Sequence, residues 1–151
     1  MPSYNPPLRD MQFLMHEVFK VTDVYQAMPQ HAEVDADTIN AVLEEAGKFA
    51  ANVTFPLNIS GDEEGCHLDK PPHEVPPPKG YKEAYAQFVE GGWPALSCDT
   101  KYGGQGLPFV VNSALYEMLN SANQAWTMYP GLSHGAYEAL HAHGSPELQA
   151  K

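Results

Sequence analysis

KYGGQGLP, residues 101–108, places three glycines in four positions between an aromatic residue and a proline. Such a stretch is either a loop whose backbone N–H groups cradle a phosphate or a turn between packed helices, and the two readings imply different proteins. A phosphate loop of the Walker type needs Lys and then Ser or Thr directly after its last glycine, whereas Gly106 is followed by Leu107 and Pro108. A dinucleotide fingerprint needs a strand before the glycines and a βαβ frame around them, and neither pattern is present. The stretch therefore reads as a structural turn, in which Gly103, Gly104 and Gly106 supply positive φ or a close backbone approach.

Outward from this turn the apolar positions recur at helical spacing. After it, two helices are predicted over 109–120 and 123–143, with Pro130 and Gly131 breaking or kinking the second. Before it, Gly80 to Glu90 reads as a helix with Tyr81, Tyr85 and Phe88 on one face and Gly91-Gly92 as its stop. Residues 57–79, rich in Pro, Gly and charge, read as a long loop. A helix starting near Asp35 or Asp37 carries Ile39, Val42, Leu43, Ala46, Phe49, Ala50 and Val53 on one face, and Pro56 bends or ends it. A first helix capped by Asp10 carries Met11, Leu14, Met15 and Val18, with Phe19 extending the stripe. The closing SPELQAK, with Ser145 as cap, Pro146 first and Glu147 in the first turn, opens a further helix and suggests a truncated chain. The expected class is all-α.

Charge narrows the partners. Eight Lys and Arg against nineteen Asp and Glu leave a net charge of -11, a field that repels nucleic acid and anionic membrane surfaces. No stretch approaches the roughly 18 apolar residues of a membrane span, and no signal sequence is visible, so a cytoplasmic protein is expected. With 151 residues and 43% apolar composition the chain suits one core. Cys66 and Cys98 are too few for a disulfide-stapled domain and read as reduced thiols.

Residues of catalytic type do not assemble into a motif. His141 and His143 are two apart and do not share a helix face; His134 and His141 do, but without a carboxylate or cysteine at a spacing that completes a metal set. Cys98 has no identifiable base, and neighbouring Ser133 and His134 point about 100° apart on a helix. No metal ligand and no catalytic residue is nominated.

GGWPALSCDTKYGGQGLP, followed by two helices and then HGSPELQAK, resembles the N-terminal helical domain of the acyl-CoA dehydrogenase family. Tyr102, Gly103, Gly104, Gly106 and Leu107 match its turn, and Gly144, Ser145, Glu147 and Lys151 match its later helix start. YNPPLRDMQFLMHEVF, residues 4–19, is similar to the extension of a larger bacterial branch that includes the methylthiopropanoyl-CoA dehydrogenases, in which an Arg-Asp pair, here Arg9 and Asp10, heads the first helix. The resemblance implies an extension over 1–33 and the helical domain over 34–151, with a middle β-domain and a C-terminal four-helix bundle missing. It implies an FAD-dependent enzyme that oxidises acyl-CoA to 2,3-enoyl-CoA, with an electron-transfer flavoprotein as acceptor and a homodimeric or homotetrameric assembly. Its glutamate base and most flavin contacts lie in the missing parts, so this chain is expected to be inert alone, with no cofactor-binding residue of its own. The acyl-pocket positions fall on Trp126, Thr127 and Pro130, with Leu132 and His134 just beyond. The bulk of Trp126 implies a short or modest acyl group, while plain core packing is an equal account of Trp126 and Tyr129. Two rivals stay open: a stand-alone helical interaction module derived from such a domain, and an acyl-CoA oxidase-like or nitroalkane oxidase-like relative.

Overall fold

A computed structural model describes residues 3–67 and 75–150, which form helices and turns with no strand among the described residues. α1 (Leu8–Gln12) runs directly into a π-helical segment, Phe13–Val18. Asp10, the expected cap, lies inside the first turn, and Pro7 takes the cap position. The i→i+5 spacing, seen in the 2.8 Å bond from the Phe19 N–H to the Leu14 carbonyl, rotates the apolar face. Met11 and Met15 are therefore buried, while Leu14, Val18 and Phe19 of the expected stripe face solvent. Lys20, in the left-handed region at φ 48°, separates this segment from α2 (Val21–Gln26), a helix that the sequence spacing does not predict. Val21 and Tyr25, four apart, are its buried pair.

α3 (Ala36–Phe49) follows expectation. The Asp35 carboxylate accepts the Thr38 N–H at 2.8 Å, which caps the helix, and hydrogen bonding from the Thr38 side chain together with that N–H holds the carboxyl below its ordinary pKa. Ile39, Leu43, Ala46 and Ala50 are buried and Val42, Phe49 and Val53 half-buried. Pro56 does not end the helical path. A π-turn over Ala50–Thr54 widens it, and Pro56 then becomes the first residue of α4 (Pro56–Glu64), where its missing N–H costs nothing. The expected loop over 57–79 is thus helical as far as Glu64; 68–74 lie outside the described residues. α4 has no apolar stripe to announce it. Gly61 seats it: a Cβ there would come within 2.7 Å of Tyr81 Cε1, so only glycine lets the tyrosine ring lie against the helix.

α5 (Tyr81–Glu90) buries Tyr81, Ala84 and Phe88, leaving Tyr85 at its edge. α6 (Phe109–His143) is one long path with a single non-helical residue, Asn123, at φ -161° and ψ 88°. The predicted second helix does begin there, but the break expected at Pro130 and Gly131 is absent. Pro130 is buried within the continuing helix, and the bend is made seven residues earlier by a side-chain cap described below. α7 (Pro146–Gln149) opens after Ser145, with Pro146 in first place. The core joins α3, α5 and α6 through Leu43, Phe88, Leu115, Met118, Leu119 and Trp126.

Residues 101–108 link the α5 layer to α6. The N–H groups of Gly103, Gly104, Gln105, Gly106 and Leu107 bond the carbonyls of Thr100, Asp99, Ala95, Cys98 and Leu96, at 2.9 to 3.1 Å. With these donors all turned inward, none is left to hold a phosphate. Gly103 (φ 85°) and Gly106 (φ 67°) supply the left-handed turns, whereas Gly104 is needed because a Cβ would run into the Cys98 carbonyl. Gly103→Ala has open space for its Cβ and should cost about 1–2 kcal/mol through backbone conformation alone. Gly104→Ala must push the Cys98 backbone aside, so urea unfolding should place it well below Gly103→Ala; equal midpoints would contradict the close approach.

Candidate functional site

The second half of α6, from Asn123 onward, carries all five residues singled out for ligand contact. Its direction is set at Asn123. The Asn123 Oδ1 accepts the Trp126 N–H at 3.0 Å, the bond of a helix N-cap three residues on. Its Nδ2 donates to the Thr54 carbonyl at 3.0 Å, at the end of the π-turn in the neighbouring helix. The Tyr81 hydroxyl approaches the same Oδ1 at 3.5 Å, and the Thr127 hydroxyl donates to the Asn123 carbonyl at 2.8 Å. With a donor against a carbonyl and an acceptor against an N–H, the amide has one workable orientation.

Trp126 is fully buried. Its indole N–H donates to the Tyr81 carbonyl at 3.2 Å, and its ring meets Phe88 edge to face at 5.4 Å and Phe49 at 6.0 Å. Trp126 also borders an open cavity of about 280 Å³ lined by Pro77, Tyr81, Lys82, Tyr85 and Tyr129. Of the two accounts of Trp126, core packing is the one on view. Thr127 and Pro130 are buried in the core, while Leu132 is 78% exposed on the outer face beside Met128. His134 lies on the same side as Trp126, Thr127 and Pro130 but further along the helix, packed against Phe109, Tyr116 and Tyr137, with Nε2 at 3.4 Å from Asn112 Nδ2 and 3.5 Å from Glu138 Oε1. Trp126, Thr127, Pro130 and His134 thus share the inward face of the helix and Leu132 stands on the opposite one, and none of the cavities among the described residues is lined by all five.

A column of rings continues from His134 through Tyr137 and His141 to Tyr102. It fastens α6 to the glycine turn, since the Tyr137 hydroxyl accepts the Asp99 N–H at 2.8 Å and His141 lies 3.5 Å from the Asp99 carboxylate. Burial pushes the Cys98 thiol up in pKa, with Glu138 adding to the effect, which keeps it protonated and unsuited to nucleophilic attack. Among the described residues no three His, Cys, Asp or Glu side chains are grouped to hold a metal ion, and no helix is long and apolar enough to cross a membrane.

Sequence reasoning missed Tyr81 and Asn123 as the residues that fix this helix. Asn at the start of the predicted helix was the available signal for a cap; its second bond, to a carbonyl 69 residues away, had none.

An all-helical domain whose longest helix is capped internally and fastened to a glycine turn is the class of protein that this architecture defines. Residues 36–151 match the sequence profile described as acyl-CoA dehydrogenase, N-terminal domain. The chain belongs to the acyl-CoA dehydrogenase family, and its helical fold is that of the family's N-terminal domain. It is 38% identical over 148 residues to a 3-methylmercaptopropionyl-CoA dehydrogenase of Ruegeria pomeroyi, covering 98% of this chain and 25% of that protein. It is 30% identical over 131 residues to the broad-specificity linear acyl-CoA dehydrogenase FadE5 of Mycobacterium tuberculosis, covering 87% of this chain and 21% of that protein. A butyryl-CoA dehydrogenase of Syntrophomonas wolfei is 25% identical over 150 residues, covering 99% of this chain and 24% of its own length. The chain thus spans about a quarter of the length of these relatives.

The family implies a flavin, and this chain's glycine turn does not fit one: its N–H groups are all bonded to backbone carbonyls, so it offers no cradle to a pyrophosphate.

Burial lifts the Tyr116 phenol to about 12, with the Cys98 and Tyr85 charges adding to the shift. Because the folded value lies above the free value of 10.0, the contribution to stability is full below pH 10.0 and is lost as pH rises through about 12. An ultraviolet phenolate titration should show one class of tyrosine ionising only as the fold is lost, and Tyr116→Phe should remove it.

Proposed function

We propose that the protein containing this chain is an FAD-dependent dehydrogenase that oxidises acyl-CoA thioesters to 2,3-enoyl-CoA, and that this chain supplies walls of the acyl pocket and is inert by itself. The observation that carries the reading is the match of residues 36–151 to the N-terminal domain of the family. In this reading 1–33 form an added extension and 34–151 the domain proper. The flavin and the base that removes the α-proton belong to regions beyond these residues, and an electron-transfer flavoprotein takes the electrons. A cytoplasmic homodimer or homotetramer completes the proposal.

Trp126, Thr127, Pro130, Leu132 and His134 are the proposed contact positions, with Leu132 on the outer face of the helix and the other four on its inner face. Leu132 and Met128 make an exposed apolar edge suited to covering by further protein around an acyl tail. Trp126, with the tyrosine-lined cavity behind it, ends the available space and favours a short or thioether-bearing acyl group; sulfur adds favourable contacts to aromatic edges. The names of the relatives from Ruegeria pomeroyi and Syntrophomonas wolfei support this direction. A helical interaction module would use the same exposed edge, and the flavin separates the two readings.

Purified full-length gene product should be yellow, and its flavin absorbance should bleach on anaerobic addition of butyryl-CoA or 3-methylthiopropanoyl-CoA. A colourless protein would reject the dehydrogenase reading. Trp126→Phe, which keeps an aromatic ring against Phe88, should move the preference towards longer acyl-CoAs; an unchanged chain-length profile would remove Trp126 from the pocket wall.

A further inference from the structure

Two irregularities of the backbone, far apart in sequence, meet at one side chain. Pro56 has no N–H to return to the turn before it, and the path there opens into a π-turn, with the Phe55 N–H reaching back five residues to the Ala50 carbonyl at 2.9 Å. The Asn58 N–H then turns to the Phe55 carbonyl at 3.0 Å, and the Thr54 carbonyl takes its bond from Asn123 Nδ2. Thr54 is wholly buried, so an unpaired carbonyl there would carry the cost of an unsatisfied polar group. To reach it, Asn123 leaves the helical conformation, and the same departure frees its Oδ1 to cap the Trp126 N–H.

We infer that Asn123 is a positioning residue for acyl-chain recognition: by bonding the Thr54 carbonyl and the Trp126 N–H together, it sets the angle and rotation at which the second half of α6 presents Trp126, Thr127 and Leu132. The inference rests on the proposed reading of that half-helix as a pocket wall. The primary amide suits the task because it donates and accepts along two directions from one short stem. An aspartate keeps the cap but turns an acceptor towards the Thr54 carbonyl. A serine keeps the cap and is too short to bridge. Neither holds both helices, so the half-helix can rotate or slide while its own hydrogen bonds survive.

The experiment uses the full-length protein, with wild type, Asn123→Asp and Asn123→Ser compared by two readouts. Hydrogen exchange at the amides of 52–58 and 124–130 reports the link between the helices. Steady-state kinetics over a series of straight-chain acyl-CoAs reports recognition. Either variant is expected to speed exchange in both segments together and to change the ratio of kcat/KM between the shortest and longest substrates by about tenfold, mainly through KM, as small displacements of contact groups do. If one variant does not fold, the other carries the test. Faster exchange with a ratio within about twofold of wild type would leave Asn123 a structural residue only and overturn the inference, since rates would then be insensitive to its displacement. Unchanged exchange would overturn the link itself. Failure of the wild type to oxidise any acyl-CoA would instead overturn the dehydrogenase reading, and the positioning role with it.

Discussion

A buried carbonyl at Thr54 must find a donor, and the arrangement of this domain follows from where that donor comes from. In an unbroken helix the partner would lie one turn onward in the same segment. Pro56 and the π-turn disturb that local solution, and the partner comes from a helix 69 residues further along the chain. A contact of that kind is directional in a way that apolar packing is not. Leu43, Leu115 and Leu119 would tolerate a small slide of α6 against α3, whereas an amide at 3.0 Å from a carbonyl on one side and 3.0 Å from an N–H on the other would not. The hydrophobic core brings the helices together, and Asn123 fixes their register.

The opposite end of α6 is held by different means. Its ring column and the Tyr137 bond to Asp99 tie the helix to the glycine turn, whose glycine amides are engaged by carbonyls of the segment just before it. The turn is therefore a rigid anchor and not a binding loop. Between these two fixed points lie Pro130 and Gly131, and the helix passes through both without a break.

Much of this was legible in the sequence. The α3 stripe and its start near Asp35 or Asp37, the glycine stop after α5 and the start of a helix at Asn123 all rest on local rules, in which the signal and the structure occupy the same few residues. Pro56 was misread because the same residue serves to stop a helix or to start one, and α4 carries no apolar stripe to decide between them. Leu14 and Val18 were misplaced because an ideal helical period was assumed where a π-segment turns the face. The candidate site was the least legible part. Spacing puts Trp126, Thr127, Pro130 and His134 on one face of a helix and Leu132 on the other, but whether that face meets the core, the cavity or the solvent depends on how the helix is rotated, and a contact at long range decides it.

The outer edge of α6 has a colloidal consequence. Met128, Leu132 and Leu140 expose apolar surface on a chain whose net charge is -11. Between separate copies, mutual repulsion opposes contact of these edges at low ionic strength, while added salt shortens the range of the field and leaves the apolar attraction intact. The acidity of the chain thus acts as a long-range guard over a short-range adhesive edge, keeping copies apart in dilute buffer and yielding as the ionic strength rises.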